Sequence, residues 1–190
     1  MELLNEIRWH GRAGQGIITV SRLLALAAIT EGKHAQAFPE FGPERLGSAM
    51  KGYTRISDEP IEIHSPIYEP NIVVVVDPTL IGLVDISEGV KKEGKMILNA
   101  FKPFSERFLE ELKQKNVKAF KVNATKISLR VLGNDKAANT AVLGALIKVE
   151  PLVSLNALIK VLEERFKGPI LEKNIEILKM GYEEVEAIKN

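Results

Sequence analysis

The chain has no cysteine among its 190 residues. That excludes disulfides, Cys-ligated zinc and a thiol nucleophile. It also excludes the usual thiolate-held iron–sulfur cluster, so electron transfer would place the metal on another chain. An excess of one charge is missing too. Lys and Arg number 26 against 25 Asp and Glu, a net charge of +1. There is no whole-chain field of the kind that nucleic-acid proteins carry, so no nucleic-acid partner is expected. Long hydrophobic runs are absent. The stretch "IVVVV" at 72–76 is far too short to span a bilayer. "MELLNEIRWHG" carries acidic residues and no uninterrupted apolar core, unlike a signal peptide. The expectation is a cytoplasmic protein with no membrane partner.

Several catalytic patterns are lacking. Ser21, Ser48 and Ser65 have no G-x-S-x-G context. His10, His34 and His64 are scattered, with none at the spacing of a metal motif. His10 alone stands at the ligand-facing end of a strand, and a satisfied structural histidine is the simpler reading. The sequence nominates no catalytic nucleophile, no general base and no metal ligand.

What is present is an alternation of strand and helix. It points to an α/β fold in one domain over residues 1–190, with a mostly parallel sheet flanked by helices. A chain of this length buries roughly 70% of its unfolded surface. Strands are expected at 6–10, 34–38, 71–77, 95–100 and 117–122. "NIVVVVD" at 71–77 is apolar throughout and reads as covered on both faces. An inserted β-hairpin is expected from 49–56 and 60–64 around Ser57-Asp58-Glu59. Helices are expected at 15–30, 105–116, 124–132, 140–149, 155–166 and 170–188. The helices from about 151 onward belong to the same domain. The last one carries Leu171, Ile175, Leu178, Tyr182 and Val185 on one seam, which reads as cover for the chain's own sheet.

The segment "EIRWHGRAGQGIITVSRLLALAA" at 6–28 carries the chemistry. A strand stops at a glycine-rich turn that opens a helix. Glycine admits positive φ and lets a ligand approach the backbone. The first-turn N–H groups lack intrahelical partners, and the helix dipole adds positive potential. Gly11, Arg12, Gly14, Gln15 and Gly16 are therefore candidate anion-binding residues. On pattern alone, the glycines serve equally well for a tight turn with close helix–sheet packing. Gly16 is followed by Ile17-Ile18-Thr19, with no Gly-Lys-Ser/Thr, so nucleotide hydrolysis is disfavoured. The order G-x-x-G-x-G, with no acid ending the second strand, disfavours a dinucleotide.

Glu44 and Arg45, in a loop rich in Gly and Pro, are the second candidates. They either pair locally or face a partner or the active site. Asp77-Pro78 reads as a cap followed by proline at the first helical position. Asn139-Thr140 reads as a cap of the helix that follows. Arg55 reads as a surface or interface residue.

Four segments together resemble the gamma subunit of 2-oxoacid:ferredoxin oxidoreductases, in particular the pyruvate enzymes. They are "RWHGRAGQG" 8–16, "QAFPEFGPERLGSAMKGYTRISDEPI" 36–61, "YEPNIVVVVDPTLI" 68–81 with "GKMILNA" 94–100, and "NTAVLGAL" 139–146. The likeness covers most of the chain to about residue 150. It implies oxidative decarboxylation of pyruvate with coenzyme A and ferredoxin, giving acetyl-CoA and carbon dioxide. It further implies alpha, beta and delta partner subunits, with thiamine diphosphate and iron–sulfur clusters on those partners. Coenzyme A would lie at a site shared with this chain, which binds no cofactor by itself. Ala13 and Leu46 depart from the family pattern, which has glycine and a second arginine or small polar residue there. A complex for 2-oxoisovalerate or another 2-oxoacid, or a stand-alone nucleotide- or coenzyme-A-binding module, are the alternative readings.

Overall fold

The computed structural model describes residues 4–40 and 46–188. A seven-stranded mixed sheet runs β2-β3-β1-β4-β5-β6-β7. The strands are β1 (Asn5–Arg12), β2 (His34–Pro39), β3 (Ala49–Ser57), β4 (Ile72–Val75), β5 (Lys95–Asn99), β6 (Lys118–Val122) and β7 (Glu186–Ala187). The central four, β1, β4, β5 and β6, are parallel. Antiparallel pairs close both flanks. The helices are α1 (Ile17–Thr30), α2 (Glu106–Gln114), α3 (Ala124–Leu132), α4 (Ala138–Val149), α5 (Leu155–Arg165) and α6 (Gly168–Glu183).

Strand side chains alternate between two cores. Ile7, Trp9, Val74, Ile97 and Val122 face one side and pack with residues of α1, α3, α4, α5 and α6. Val73, Val75, Met96 and Leu98 face the other and pack with Phe108 and Leu112 of α2. All four residues of β4 are buried, as the unbroken apolar run requires. The seam of α6 joins the first core of its own chain, but it packs chiefly on α4, α3 and α5 and not on the sheet as expected. It lies very close to α4. A Cβ on Gly144 would collide with the Leu178 carbonyl, and one on Gly181 with the Ala141 carbonyl.

The hairpin is placed differently from the sequence reading. β3 is flanked by β2 and β1, each antiparallel to it, so both its edges are occupied. Residues 60–64 therefore form no strand. They are fastened instead by side chains: Gln36 Nε2 donates to the Ile61 carbonyl (3.0 Å), and Arg55 Nη1 to the Ile63 carbonyl (3.3 Å). Arg55 is no surface residue. It is 1% exposed and its Nε lies 3.0 Å from Glu6 Oε1. The last helix stops at Glu183, because Glu186–Ala187 add to the free edge of β6.

β1 and β4 are neighbours, and the chain leaves them in opposite directions. From β1 it passes through α1, on one face, to β2 at the sheet edge. From β4 it moves the other way to β5, and α2 covers the other face. The β1–β4 junction is thus a topological switch point, the place where open α/β sheets form a ligand crevice.

Candidate functional site at the β1–β4 switch point

The glycine-rich turn lies at this switch point. Gly16 is the N-cap of α1 with φ 73°, in the left-handed region, and no side chain among the described residues caps the helix. Gly14 has φ 100°. The turn is tied by Gln15 N donating to the Arg12 carbonyl (3.0 Å) and Ala13 N to the Ser48 carbonyl (2.9 Å). Two glycines are also demanded by packing. A Cβ on Gly11 would overlap the Ile17 side chain, and one on Gly16 would collide with Asn139 Nδ2. Asn139 Nδ2 instead donates to the Gly16 carbonyl at 3.2 Å. This corrects the reading of Asn139 as a cap: α4 begins at Ala138, and Asn139 reaches across to brace the opening of α1.

Arg12 spans the crevice. Its Nε lies 3.2 Å from Asp77 Oδ2. Nη2 donates to Thr79 Oγ1 (2.9 Å) and Nη1 to the Gly47 carbonyl (3.1 Å). Gln15 locks the same group: its Oε1 accepts from Arg12 N (2.8 Å) and its Nε2 donates to Asp77 Oδ2 (2.7 Å). A guanidinium has five N–H donors. These bonds engage one on each nitrogen, so two have no partner among the described residues, and the side chain is 31% exposed.

Asp77 is the cap the sequence suggested. Its carboxylate accepts from Thr79 N (2.8 Å) at the start of a 3-10 turn over Pro78–Leu80. Burial pushes its pKa up, but hydrogen bonds from Thr79 and Gln15 and the Arg12 charge outweigh this and hold it below the ordinary value. Nothing local in the sequence marks Thr79 or the Gly47 carbonyl as partners of Arg12. They meet it only because β1, β3 and β4 are neighbours. Glu44 and Arg45 lie outside the described residues.

His10 is buried and accepts a hydrogen bond at Nε2 from Arg8 Nε (3.1 Å). Burial, then the charges of Arg8 and Lys51, push its pKa down to about 3, so it stays neutral. Arg8 in turn donates to the carbonyls of Ile86 and Glu88. This is the satisfied structural histidine of the simpler reading. Among the described residues, no group of three or more His, Asp or Glu could hold a metal ion, and no helix is long and apolar enough to cross a membrane.

Residues 6–184 match the model of the family described as pyruvate ferredoxin/flavodoxin oxidoreductase. The chain belongs to that family. It is 44% identical over 184 residues to the "Pyruvate/ketoisovalerate oxidoreductases common subunit gamma" of Pyrococcus furiosus, covering 97% of this chain and 98% of the relative. It is 42% identical to the "Pyruvate synthase subunit PorC" of Methanothermobacter thermautotrophicus, covering 97% of each. The crystal structure of the pyruvate oxidoreductase subunit PORC of Thermotoga maritima superposes with a TM-score of 0.83 at 38% identity, covering 98% of this chain and 99% of that one. Within the family, this is a gamma-type chain, a subunit of a multi-subunit oxidoreductase.

Proposed function

We propose that the chain is the gamma subunit of a complex that oxidatively decarboxylates pyruvate with coenzyme A, giving acetyl-CoA, carbon dioxide and reduced ferredoxin. Its partners in this reading are alpha, beta and delta subunits, and its own work is assembly and coenzyme A handling. Thiamine diphosphate and the iron–sulfur clusters belong to the partners. With no cysteine, this chain cannot supply thiolate ligands to a cluster.

One observation carries the coenzyme A part. At the switch-point crevice, a helix N-terminus with no side-chain cap among the described residues lies beside Arg12, two of whose N–H donors have no partner among those residues. Phosphate suits both partners. Asp77 and Thr79 hold the guanidinium in place, and positive φ at Gly14 and Gly16 carries the backbone through the turn. A second substrate is favoured by a relative. The Pyrococcus furiosus protein is named as common to pyruvate and ketoisovalerate oxidoreductases, and this chain would likewise serve a branched 2-oxoacid complex.

The test is calorimetric titration of coenzyme A into the assembled complex, carrying either the wild-type chain or Arg12→Ala. Loss of a charge-assisted contact is expected to weaken binding roughly 10- to 100-fold with the subunit ratio unchanged. Equal affinity would return the glycines to turn-making and packing alone.

A further inference from the structure

We propose that the groove at the carboxyl ends of β4 and β5 seats a partner subunit of the complex, taking a segment that presents an apolar side chain next to a carboxylate. The proposal rests on the chain being one subunit of several, and not on where coenzyme A binds.

The groove has a volume of about 730 Å³ and lies between residues 81–87, residues 100–105 and the first turns of α2. Phe104 and Phe108 line it, and Phe108 is buried in the second core. Its mouth carries apolar side chains that water does not favour. Leu83 is 69% exposed and Phe101 55%, with Val84 beside them. Exposed apolar side chains gathered round one opening mark an interaction surface.

Charge narrows the partner. Two acids line the groove, and both are already engaged. Ser87 Oγ lies within hydrogen-bond reach of both Asp85 Oδ1 (2.8 Å) and Glu111 Oε1, with one proton to give to either, and Lys115 Nζ pairs with Glu111 at 2.9 Å. The two cations of the lining, Lys102 and Arg107, have no carboxylate partner among the described residues. Lys102 lies 5.6 Å from the centre of the Phe101 ring. An apolar lining with two uncompensated cations complements an acidic, apolar segment. A small anion would use the cations and leave Leu83 and Phe101 in water, so a protein segment fits the whole feature better.

The experiment compares complexes reconstituted with three variant chains: Leu83→Glu/Phe101→Glu, Lys102→Glu/Arg107→Glu, and Leu26→Glu as the control. Thermal melts of the free chains check folding, since all five positions lie outside the buried core. Native mass spectrometry reads the subunit ratio against dilution. Both groove variants are expected to dissociate at a concentration at least tenfold higher than wild type, and the Leu26→Glu complex to match wild type. Full assembly of both groove variants overturns the proposal. So does intact assembly with weakened coenzyme A binding, which would make the groove a small-anion site. Equal loss with Leu26→Glu overturns it as well. If Arg12→Ala leaves coenzyme A affinity unchanged, these assembly readings still stand.

Discussion

Arg12 Nε lies 3.2 Å from Asp77 Oδ2, and this pair joins the end of β1 to the loop after β4 across the switch-point crevice. The pair is positional before it is energetic, because a partly exposed ion pair contributes only about 0–1 kcal/mol. What it does is aim a guanidinium.

Thr79→Val tests the aim separately from the charge. It removes the hydroxyl that accepts from Arg12 and donates to Asp77 (2.6 Å). Arg12 keeps its charge but loses one anchor. Coenzyme A affinity in the complex should fall by less than in Arg12→Ala, and the salt dependence of binding should stay the same.

Asp77→Asn addresses stability. Its single amide oxygen cannot accept from both Thr79 and Gln15, and the charge facing Arg12 is lost, a change that costs about 1–3 kcal/mol in chemical denaturation. The sign with pH follows from the depressed carboxyl. Above about pH 4 Asp77 is ionised in both states and its contribution is complete. As pH falls through the lowered folded-state value, the contribution is lost. The gap between wild type and Asp77→Asn should therefore narrow in acid. A gap that widens below pH 4 contradicts this assignment.

His10 adds a second acid-sensitive group. It is pushed down to about 3 in the folded chain, against about 6.5 in the unfolded one. Between those values only the unfolded chain binds the proton, so stability falls as pH falls. The slope from this group is at most about 1.4 kcal/mol per pH unit. His10→Gln keeps an acceptor for Arg8 and should flatten the stability curve between pH 6 and 4. In the wild type, the His10 imidazole resonances should show no titration between pH 8 and 5.

Gly181→Ala probes the α4–α6 contact. The new methyl would meet the Ala141 carbonyl, which is backbone and has no rotamer to escape into. The cost should be at least about 3 kcal/mol, the upper part of the range for overpacking. Gly133→Ala tests the opposite case. Gly133 has open space round its Cβ direction, and its strain comes from φ 74° alone. Its cost should stay near 1 kcal/mol. Urea melts of the two variants compare them directly.

Gly16→Ala combines both effects, since φ is 73° and the methyl would collide with Asn139 Nδ2. Asn139→Ala removes the collision and leaves the φ strain. The double variant should be less destabilised than the two single changes added together, by roughly 0.5–3 kcal/mol of coupling.

The local pattern determined the elements. Period-2 and period-3.6 apolar spacing placed β1, α1, β4, β5, β6, α3 and α5 within a few residues, because burial of one face dictates that spacing. Asp77 and the glycine turn were legible for the same reason. A cap bonds backbone two or three residues away, and the residue types that do so are few. The absence of cysteine was complete in the sequence and settled which redox ligands this chain can offer.

Tertiary structure decided the pairings. Residues 60–64 have a strand-like alternation, but β3 had no edge left to give them. Residues after Glu183 are helix-like in pattern, but the free edge of β6 offered backbone hydrogen bonds, as in Ile188 N to the Ala119 carbonyl at 2.8 Å. Arg55 looks like a surface cation and became a buried one, because Glu6 and the carbonyls of 63 and 66 converge on it. The partners of Arg12 are 35 to 67 residues away in sequence and adjacent only through strand order. Periodicity reports which face of an element is buried. It carries no record of which other element arrives there, and that depends on the sum of long-range contacts across the sheet.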